Sequence, residues 1–237
     1  MDDTAISKKK IGELVEERLL TLLQSGGLSP GDPVPSEREL MEQYKVGRPA
    51  IREAMQSLER KGLIEIRHGE RPKVASPSVD RTLTEMAESV HHLLLHLEGS
   101  LDHLKEARLM FEAAMARRAA ERRTEADIAL IAKALDRQKA SKPGTENFMR
   151  CDGEFHYAIA RVSGNPLLAE LSRYLFRWLS EFNVEQVCKP GLENLTIAEH
   201  EAILEAIRKG DGEEASRQMA NHLSRANALY RLGPQGG

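Results

Sequence analysis

The stretch that decides the fold is VPSERELMEQYKVGRPAIREAMQSLERKGLI, which covers residues 34–64. It predicts two short helices separated by a tight break at Val46-Gly47. Ser36 is a good N-cap for the first helix, and Glu39 three residues later completes a capping box. Pro49 is acceptable in the first turn of the second helix. Two helices joined in this way are typical of the helix-turn-helix, whose second helix enters the major groove of DNA.

The second helix of this pair is predicted to have separate apolar and basic sides. Four apolar residues recur at helical spacing and are expected to point at a core, namely Ile51, Ala54, Met55 and Leu58. Arg48 and Arg52 are four residues apart, so they share another face. Residues 45–73 contain eight bases and four acids, an excess of positive charge in a chain whose net charge is −3. A local basic surface of this kind favours nucleic-acid binding.

The neighbouring segments complete a small domain. An amphipathic helix is predicted over residues 8–24. Residues 63–67 alternate like a short strand, His68-Gly69-Glu70 is interpreted as a hairpin tip, and residues 71–75 form the returning strand. Three helices followed by a two-stranded ribbon constitute a winged helix-turn-helix over residues 1–76. A small structural α+β module is the alternative reading of the same pattern.

Length and composition limit the classes of protein to consider. A chain of 237 residues can form one large domain or two ordinary ones. No apolar run approaches the length of a membrane span, and residues 1–10 lack the apolar core of a secretory signal. The two cysteines, Cys151 and Cys188, make no disulfide framework. We therefore expect a cytoplasmic protein without a membrane partner.

The rest of the chain is predicted to be all-helical. After the linker Ser76-Pro77-Ser78 the strand signals end, and Thr124 with Asp127 is a further capping pair. Breaks rich in glycine and proline separate seven expected helices, near residues 79–97, 100–122, 125–140, 145–163, 166–188, 193–209 and 212–231. The expected fold is mainly α: the winged helix-turn-helix plus an antiparallel helical bundle over residues 77–237.

Three histidines and one aspartate are predicted to point into this bundle. Asp152 and His156 are four residues apart, on the apolar face of one helix. His200 and His222 each lie on the apolar stripe of a later helix. Buried carboxylates and imidazoles require partners, and one divalent metal ion would satisfy all four. Imidazole and carboxylate ligands suit zinc, with nickel or manganese as alternatives.

The residues alone leave two alternatives open in this half. Each inward histidine could instead be a hydrogen-bonded core residue. Arg108 could turn inward and pair with a ligand carboxylate beside the metal, or form a helix-surface ion pair with Glu112. Cys151 is excluded from the predicted metal site because it points about 100° away from Asp152 along the helix. A second set of histidines is also excluded, since they are expected at the surface or an interface, namely His91, His92, His96 and His103.

These motifs resemble a known family. PSEREL at residues 35–40, VGRPAIREA at 46–54 and LERKGLI at 58–64 resemble the winged helix-turn-helix of GntR-type bacterial transcription regulators. DGEFH at residues 152–156 and SGNP at 163–166, with His200 and His222, resemble the FadR-like C-terminal ligand-binding domain called FCD. The resemblance covers nearly the whole chain in the expected order.

The resemblance implies a ligand set and an effector contact. Asp152, His156, His200 and His222 are implied to hold the metal, and Arg108 to lie near the carboxylate of a small organic effector. Three short segments are most similar to sialic-acid-responsive members, which suggests a sugar acid: Gly47-Arg-Pro49, Gly69-Glu-Arg71 and Ser76-Pro-Ser78.

The resemblance also implies the contacts with DNA. Arg38, Arg48 and Arg52 are implied to contact DNA, Pro49 and Ala50 to lie near the bases, and His68-Gly69 to form the wing. Of these, Arg48 and Arg52 are expected to contact bases or phosphates, whereas Arg38 and Lys45 are expected to fix the position on the DNA backbone. Some members carry hydroxyl residues where this chain has Gly47, Pro49 and Ala50, so the operator sequence is left open.

The sequence therefore predicts a homodimeric transcription regulator, a repressor that binds double-stranded operator DNA and responds to an organic or sugar acid. Two rivals remain. A metal sensor would use the ion itself as effector. A metalloenzyme fused to a DNA-binding domain would use the metal to activate water, but Glu154, the nearest acid, points away from the ligand face and no separate general base is evident.

Overall fold

The structure, a computed structural model, describes residues 10–182 and 192–229. It divides into two compact units, the first ending at Thr82 and the second beginning at Leu83. The described residues form ten α-helices and two short strands, so the prediction of a mainly α fold with an N-terminal helix-turn-helix is confirmed. None of the helices in these residues is both long and apolar enough to cross a membrane.

The first unit begins with three helices. They are α1 (Ile11–Gln24), α2 (Glu37–Tyr44) and α3 (Arg48–Arg60). The predicted capping box is present at the start of α2, where the Ser36 hydroxyl accepts from the Glu39 N–H and the Glu39 carboxylate accepts from the Ser36 N–H. The four apolar residues predicted to lie on the inner side of α3 are all buried, and they pack with Val15, Leu19 and Leu40.

The wing is shorter than the sequence predicts. Strand β1 (Ile64–Glu65) pairs antiparallel with β2 (Lys73–Val74), with Ile64 opposite Val74 and Glu65 opposite Lys73. The next position in this register places Ile66 opposite Pro72. The pairing stops before this position. At the wing tip Arg67 O accepts from Glu70 N–H in a turn rather than continuing the ladder, so the predicted strands over residues 63–67 and 71–75 are shorter.

Within the described residues, the second unit contains seven helices that form a bundle, the first of them from Leu83 onward. They are α4 (Val79–His96), α5 (Ser100–Arg122), α6 (Glu125–Ala140), α7 (Glu146–Arg161), α8 (Pro166–Phe182), α9 (Glu193–Lys209) and α10 (Gly212–Leu229). Each agrees with a predicted helix to within about two residues, as far as the described residues extend. The predicted end of the fifth of them at residue 188, and Cys188 itself, lie outside the described residues.

Helix α5 lies at the centre of this bundle, in contact with α7, α8, α9 and α10. Its buried side contains alanines at residues 116, 119 and 120, which allow neighbouring helices to approach closely. One apolar cluster joins α5 to α6, α7, α9 and α10, and a second joins it to α4 and α8. Several polar residues are nevertheless buried among these helices, and they are the starting point for the functional site.

Candidate functional site

Four polar side chains from three helices meet inside the bundle. Helix α7 carries Asp152 and His156 one turn apart, α9 carries His200, and α10 carries His222. All four are buried, and one ligand atom from each histidine lies within 4.8 Å of the others. Asp152 adjoins them, with Oδ1 3.6 Å from His200 Nε2 and Oδ2 3.7 Å from His156 Nε2. The structure thus brings together all four residues that the sequence nominated as metal ligands.

The ring nitrogens that meet here are suited to a cation. His200 Nε2 and His222 Nε2 lie 3.3 Å apart. Two imidazole nitrogens bound tetrahedrally to one zinc ion at about 2.05 Å would be separated by about 3.3 Å. His156 Nε2 is buried without a hydrogen-bond partner among the described residues. A divalent metal ion would satisfy these nitrogens and the adjacent carboxylate together, so the residues present fit such an ion.

Each histidine is oriented by a different acceptor at its other ring nitrogen. His200 Nδ1 lies 2.8 Å from Gln138 Oε1, and His222 Nδ1 lies 2.7 Å from Glu199 Oε2. His156 Nδ1 is in close contact with Glu112 Oε2. An acceptor at Nδ1 favours the tautomer that carries its proton there and leaves Nε2 free to bind a metal. The three contacts therefore leave the Nε2 lone pairs of all three histidines available to bind a metal ion.

A hydrogen-bond chain extends through Gln138. Its amide oxygen faces His200, and its amide nitrogen donates to Asp152 Oδ1 over 2.9 Å. A carboxylate can only accept, so this contact fixes the orientation of the amide. Gln138 is fully buried in α6, and it holds one ligand from α7 and one from α9 in a common arrangement.

The acceptor carboxylates remain charged despite their burial. Burial by itself raises the pKa of Glu112, but the charges of Arg108 and His156 beside it lower that pKa to about 2. Burial also acts to raise the pKa of Glu199, and hydrogen bonds from His222 and Arg225 lower it to about 2. Both groups are therefore ionised at neutral pH, as the orienting role requires.

Two of the histidines are held in the neutral form. Burial, followed by the nearby charges of His222, His156 and Arg108, lowers the pKa of His200 well below 6.5. Burial also lowers the pKa of His222, although its hydrogen bond with Glu199 acts in the opposite direction. A neutral imidazole is the form that binds a metal ion, so these shifts favour binding at neutral pH.

Arg108 turns inward. Its Nε lies 2.7 Å from Glu112 Oε1, and both side chains are buried, so Arg108 combines the inward position of one alternative with the Glu112 pair of the other. The Arg108 guanidinium also lies over the Phe176 ring, 5.0 Å from its centroid. It borders a cavity of about 40 Å³ beside the cluster, whose other lining residues include Asp152 and His222.

Arg225 is a second arginine at this cavity, and the sequence reasoning missed it. It pairs with both oxygens of Glu199 at 2.6 Å, and its Nη2 donates to Thr196 Oγ1 over 3.0 Å. Arg225 follows His222 by three residues on α10, a spacing that places both on one side of the helix. That spacing could have identified Arg225 from the sequence, because a side chain on the same side of the helix as an inward histidine can also reach the interior of the bundle.

The predicted DNA-contacting arginines lie at the surface of the first unit. The Arg48 and Arg52 side chains are 63% and 61% exposed, and their Nε atoms lie 3.3 Å and 3.5 Å from the two oxygens of Glu37. Both lie on one face of α3, about 90° around the helix from its buried residues. Arg38 is exposed on α2, with Nη1 3.9 Å from Glu42.

The remaining predicted DNA residues are also at the surface. Lys45 is exposed at the break, with a left-handed backbone at φ +54°. Pro49 is exposed and Ala50 partly exposed in the first turn of α3. His68 and Gly69 are exposed between the two strands. Arg71, which the sequence did not single out, links the wing to the helices by donating to Val34 O over 3.2 Å and to Glu39 over 2.6 Å.

The groups that the sequence excludes from the predicted metal site lie away from the three-histidine cluster. His92, His96 and His103 are exposed and His91 is partly exposed, and the three-histidine group found in the described residues includes none of them. Glu154 pairs with Arg137 and Arg150 rather than with the cluster. These placements agree with the sequence-based exclusions.

Comparison with known proteins gives two family matches. Residues 11–74 match the bacterial regulatory proteins of the gntR family, and residues 103–225 match the FCD domain. The "HTH-type transcriptional repressor NanR" of Cronobacter sakazakii is 37% identical over 231 residues, covering 95% of this chain and 87% of the relative. NanR of Escherichia coli strain K12 is 37% identical over 227 residues, covering 95% and 86%.

A solved structure supports the same assignment. The Streptococcus agalactiae GntR structure superposes with a TM-score of 0.64 at 27% sequence identity, covering 92% of this chain and 99% of that one. These similar proteins are transcription regulators and not enzymes, so the prediction of a non-enzymatic regulator is confirmed.

Proposed function

The chain belongs to the GntR family of bacterial regulatory proteins, and from this premise we propose that it is a repressor controlled by a metal-bound organic acid. It is a DNA-binding transcription regulator with an FCD domain. The observation that carries the proposal is the convergence of three imidazole nitrogens and a carboxylate beside two arginines inside the bundle. Operator binding places the protein in the bacterial cytoplasm.

In the first unit, Arg48 and Arg52 of α3 bind the operator, one or both at base edges in the major groove. Their shared contact with Glu37 is a surface ion pair, which contributes little to stability and is readily exchanged for a phosphate or a guanine. Arg38 and Lys45 fix the position on the DNA backbone, Pro49 and Ala50 lie near the bases, and His68-Gly69 forms the wing contact. A homodimer would read two half-sites.

In the second unit, Asp152, His156, His200 and His222 hold a divalent metal ion, with zinc as the first choice. When bound, the ion supplies a fixed positive charge for the carboxylate of a small organic or sugar acid. Arg108 and Arg225 border the same cavity, and their guanidiniums suit a carboxylate. Because the cavity is only about 40 Å³, a sugar acid requires the surrounding side chains to move.

Effector binding can change operator affinity only as far as the acid prefers one arrangement of the protein over another. Arg225 is a suitable point of coupling within the second unit. It pairs with Glu199, which in turn orients His222, so an acid that draws Arg225 away changes the setting of a metal ligand. We assign transmission toward the first unit to the linker at residues 76–78 and to α4.

Identification of the bound species tests the proposal. Mass spectrometry of the natively purified protein should detect a stoichiometric divalent metal and a retained organic acid. An operator selected from random DNA should then be titrated, by fluorescence anisotropy, with zinc alone, with sialic acid alone, and with both. We expect the acid to change operator affinity only in the zinc-loaded protein, and the uncharged sugar N-acetylmannosamine to have no effect.

Two outcomes of this titration would contradict the proposal. Release of the operator by zinc alone would make the ion itself the effector and the protein a metal sensor. An equal response to the acid in metal-loaded and metal-stripped protein would remove the metal from effector binding.

A further inference from the structure

A second concave surface of the bundle shares Phe176 with the cavity beside the histidine cluster, but it is otherwise lined by different residues. It is a groove of about 840 Å³ between α6, α7 and α8. Six cationic side chains from these three helices line it, namely Lys133, Arg137, Arg150, Arg161, Arg173 and Arg177. So many cations on one concave surface are unexpected in a chain whose net charge is −3. Because a concave wall concentrates the field of its charges, such a surface attracts anions.

Three of the arginines are held in place by carboxylates. Glu154 lies between Arg137, at 2.9 Å, and Arg150. Arg173 lies 2.9 Å from Glu170, and its guanidinium lies over the Tyr157 ring at 4.3 Å. Each of these arginines still has N–H groups to spare, because a guanidinium carries five. The three side chains are about half exposed, so these spare N–H groups are open to an anion in the groove.

Two further cations have no neutralising contact. The side chains of Lys133 and Arg161 form no ion pair or hydrogen bond with another residue in the described part of the chain, and both are exposed. Like charges gathered in one groove repel one another, so their presence lowers the stability of the folded unit. A bound anion would remove that cost.

The lining of the groove also includes a close contact between two helices. Gly153 of α7 and Phe176 of α8 both line the groove. A Cβ atom at residue 153 would lie 2.8 Å from the Phe176 ring, closer than side chains pack, so glycine is required for this contact. Glycine inside a helix costs about 1 kcal/mol relative to alanine. Phe176 and Tyr157 thus add two partly buried aromatic side chains to the lining of the groove.

We propose that this groove binds a phosphorylated small molecule, as a second ligand site distinct from the metal-bound acid. Five of the six cations are arginines, whose planar guanidiniums match the oxygens of a phosphate better than a lysine ammonium does. The volume lies within the range of small-molecule sites. The aromatic side chains in the lining suit the sugar or base that carries the phosphate.

Calorimetric titration of the full-length, zinc-loaded protein tests the proposal. The probes are fructose 1,6-bisphosphate and ADP, with fructose and inorganic phosphate for comparison, all at one ionic strength. We expect saturable one-to-one binding of at least one phosphate ester, at least tenfold tighter than inorganic phosphate, and no binding of fructose.

A charge-reversed pair of variants localises the binding. The Lys133→Glu/Arg161→Glu protein should bind the phosphate ester at least tenfold more weakly. The matched control is Arg118→Glu/Lys142→Glu, which makes the same change in charge at two exposed residues outside the groove; its affinity should stay within twofold of the parent. Unchanged zinc stoichiometry and fluorescence of Trp178 would show that both proteins are folded.

Four results would overturn the proposal. They are no saturable binding of either ester, equal affinity for inorganic phosphate, equal loss of binding in the control, and undiminished binding in the groove variant. Competition with DNA of unrelated sequence tests whether the groove binds nucleic acid instead. If such DNA displaces the ester, and the groove variant loses affinity for that DNA, the groove is a nucleic-acid contact instead.

Discussion

The tautomer and the orientation of each histidine in the cluster are set by the acceptor atom beside its Nδ1. Glu112, Gln138 and Glu199 accept at the three Nδ1 atoms, from three different helices. Each imidazole is therefore fixed in both tautomer and rotation. Partners of this kind raise the basicity of a metal-ligating histidine and reduce the reorganisation needed on binding. The three acceptors should consequently matter nearly as much as the ligands themselves.

Replacement of one acceptor tests this argument. We expect Glu199→Gln to weaken zinc binding roughly 10–100-fold. The amide is close to isosteric, but it removes the charge that stabilises the His222 tautomer and pairs with Arg225. Competition with a chromophoric chelator measures the affinity.

Glu201→Gln is the matched control, because Glu201 lies on the same helix but pairs with Lys139 at the surface. Its zinc affinity should equal that of the parent. His200→Ala should abolish stoichiometric binding, and full zinc retention in that protein would show that the assigned ligand set is wrong.

The exposed arginines of α3 carry the prediction for DNA. Arg48→Ala should weaken operator binding by roughly 1–3 kcal/mol if the side chain reads a guanine. It should leave the fold intact, because Arg48 is mostly exposed and its contact with Glu37 is a surface pair. Fluorescence anisotropy with the selected operator measures the change.

Arg60→Ala provides the comparison, since Arg60 is exposed at the opposite end of the same helix. We expect it to have a smaller effect. Equal operator affinity in the parent and Arg48→Ala proteins would remove Arg48 from the DNA-contacting set.

Single-residue patterns predicted which side chains meet in the cluster but not the partners of those side chains. Asp152 and His156 were recognisable because a spacing of four on an apolar helix face leaves few destinations for a polar side chain. Glu112 was considered only as the partner of Arg108, and Gln138 and Glu199 were not considered. Their acceptor roles depend on which helices become neighbours, and that information is absent from the spacing within any one helix.

Among the helices of the described residues, α2 is the shortest, and its capping box has a large share in defining it. An eight-residue helix is marginal in isolation, so its terminal hydrogen bonds and its packing against α3 must supply the stability. Burial of Leu40 provides the apolar contact, and the Ser36–Glu39 pair satisfies two backbone N–H groups at the start.

We expect Ser36→Ala to lower the free energy of unfolding of the first unit by about 1 kcal/mol. Glu39 also pairs with Arg71 of the wing, so the same change should loosen the wing. Chemical denaturation followed by circular dichroism measures the free energy of unfolding. Gln43→Ala, an exposed change on the same helix, should have an effect below about 0.5 kcal/mol. An effect of Ser36→Ala no larger than this control would contradict the capping argument.

Element ends were predictable where local chemistry determines them. The capping boxes at Ser36 and Thr124 are both formed, because they involve only residues three apart. The wing strands were overestimated because their length depends on pairing. Residues 31–34 also bond to the second strand region, through Gly31 N–H to Val74 O and Val34 N–H to Pro72 O. These bonds use the opposite edge of the strand, and the β1 pairing ends where Arg67 O accepts from Glu70 N–H in the tip turn. A pattern of alternation along one strand does not show where that turn begins.

At the scale of the whole molecule, the two units can be followed separately. Trp178 is the chain's single tryptophan, and it is buried in the second unit against Tyr174 and Leu179. Its emission therefore reports unfolding of the bundle alone, whereas circular dichroism reports the helices of both units. The assigned metal ligands all belong to the bundle. Metal binding should therefore shift the unfolding seen by Trp178 emission more than the unfolding seen by circular dichroism.

The final prediction uses this difference. Zinc at 100 times its dissociation constant should stabilise the folded bundle by about 2.7 kcal/mol. For a unit of this size, that raises the midpoint temperature of the Trp178 transition by roughly 5–10 °C. A separate unfolding transition of the first unit, seen by circular dichroism, should not move. The His200→Ala/His222→Ala protein should show no shift in either signal, because its remaining ligands cannot hold the ion. A zinc shift that survives in that variant, or that affects the first unit equally, would place the ion elsewhere and would separate the histidine cluster from metal binding.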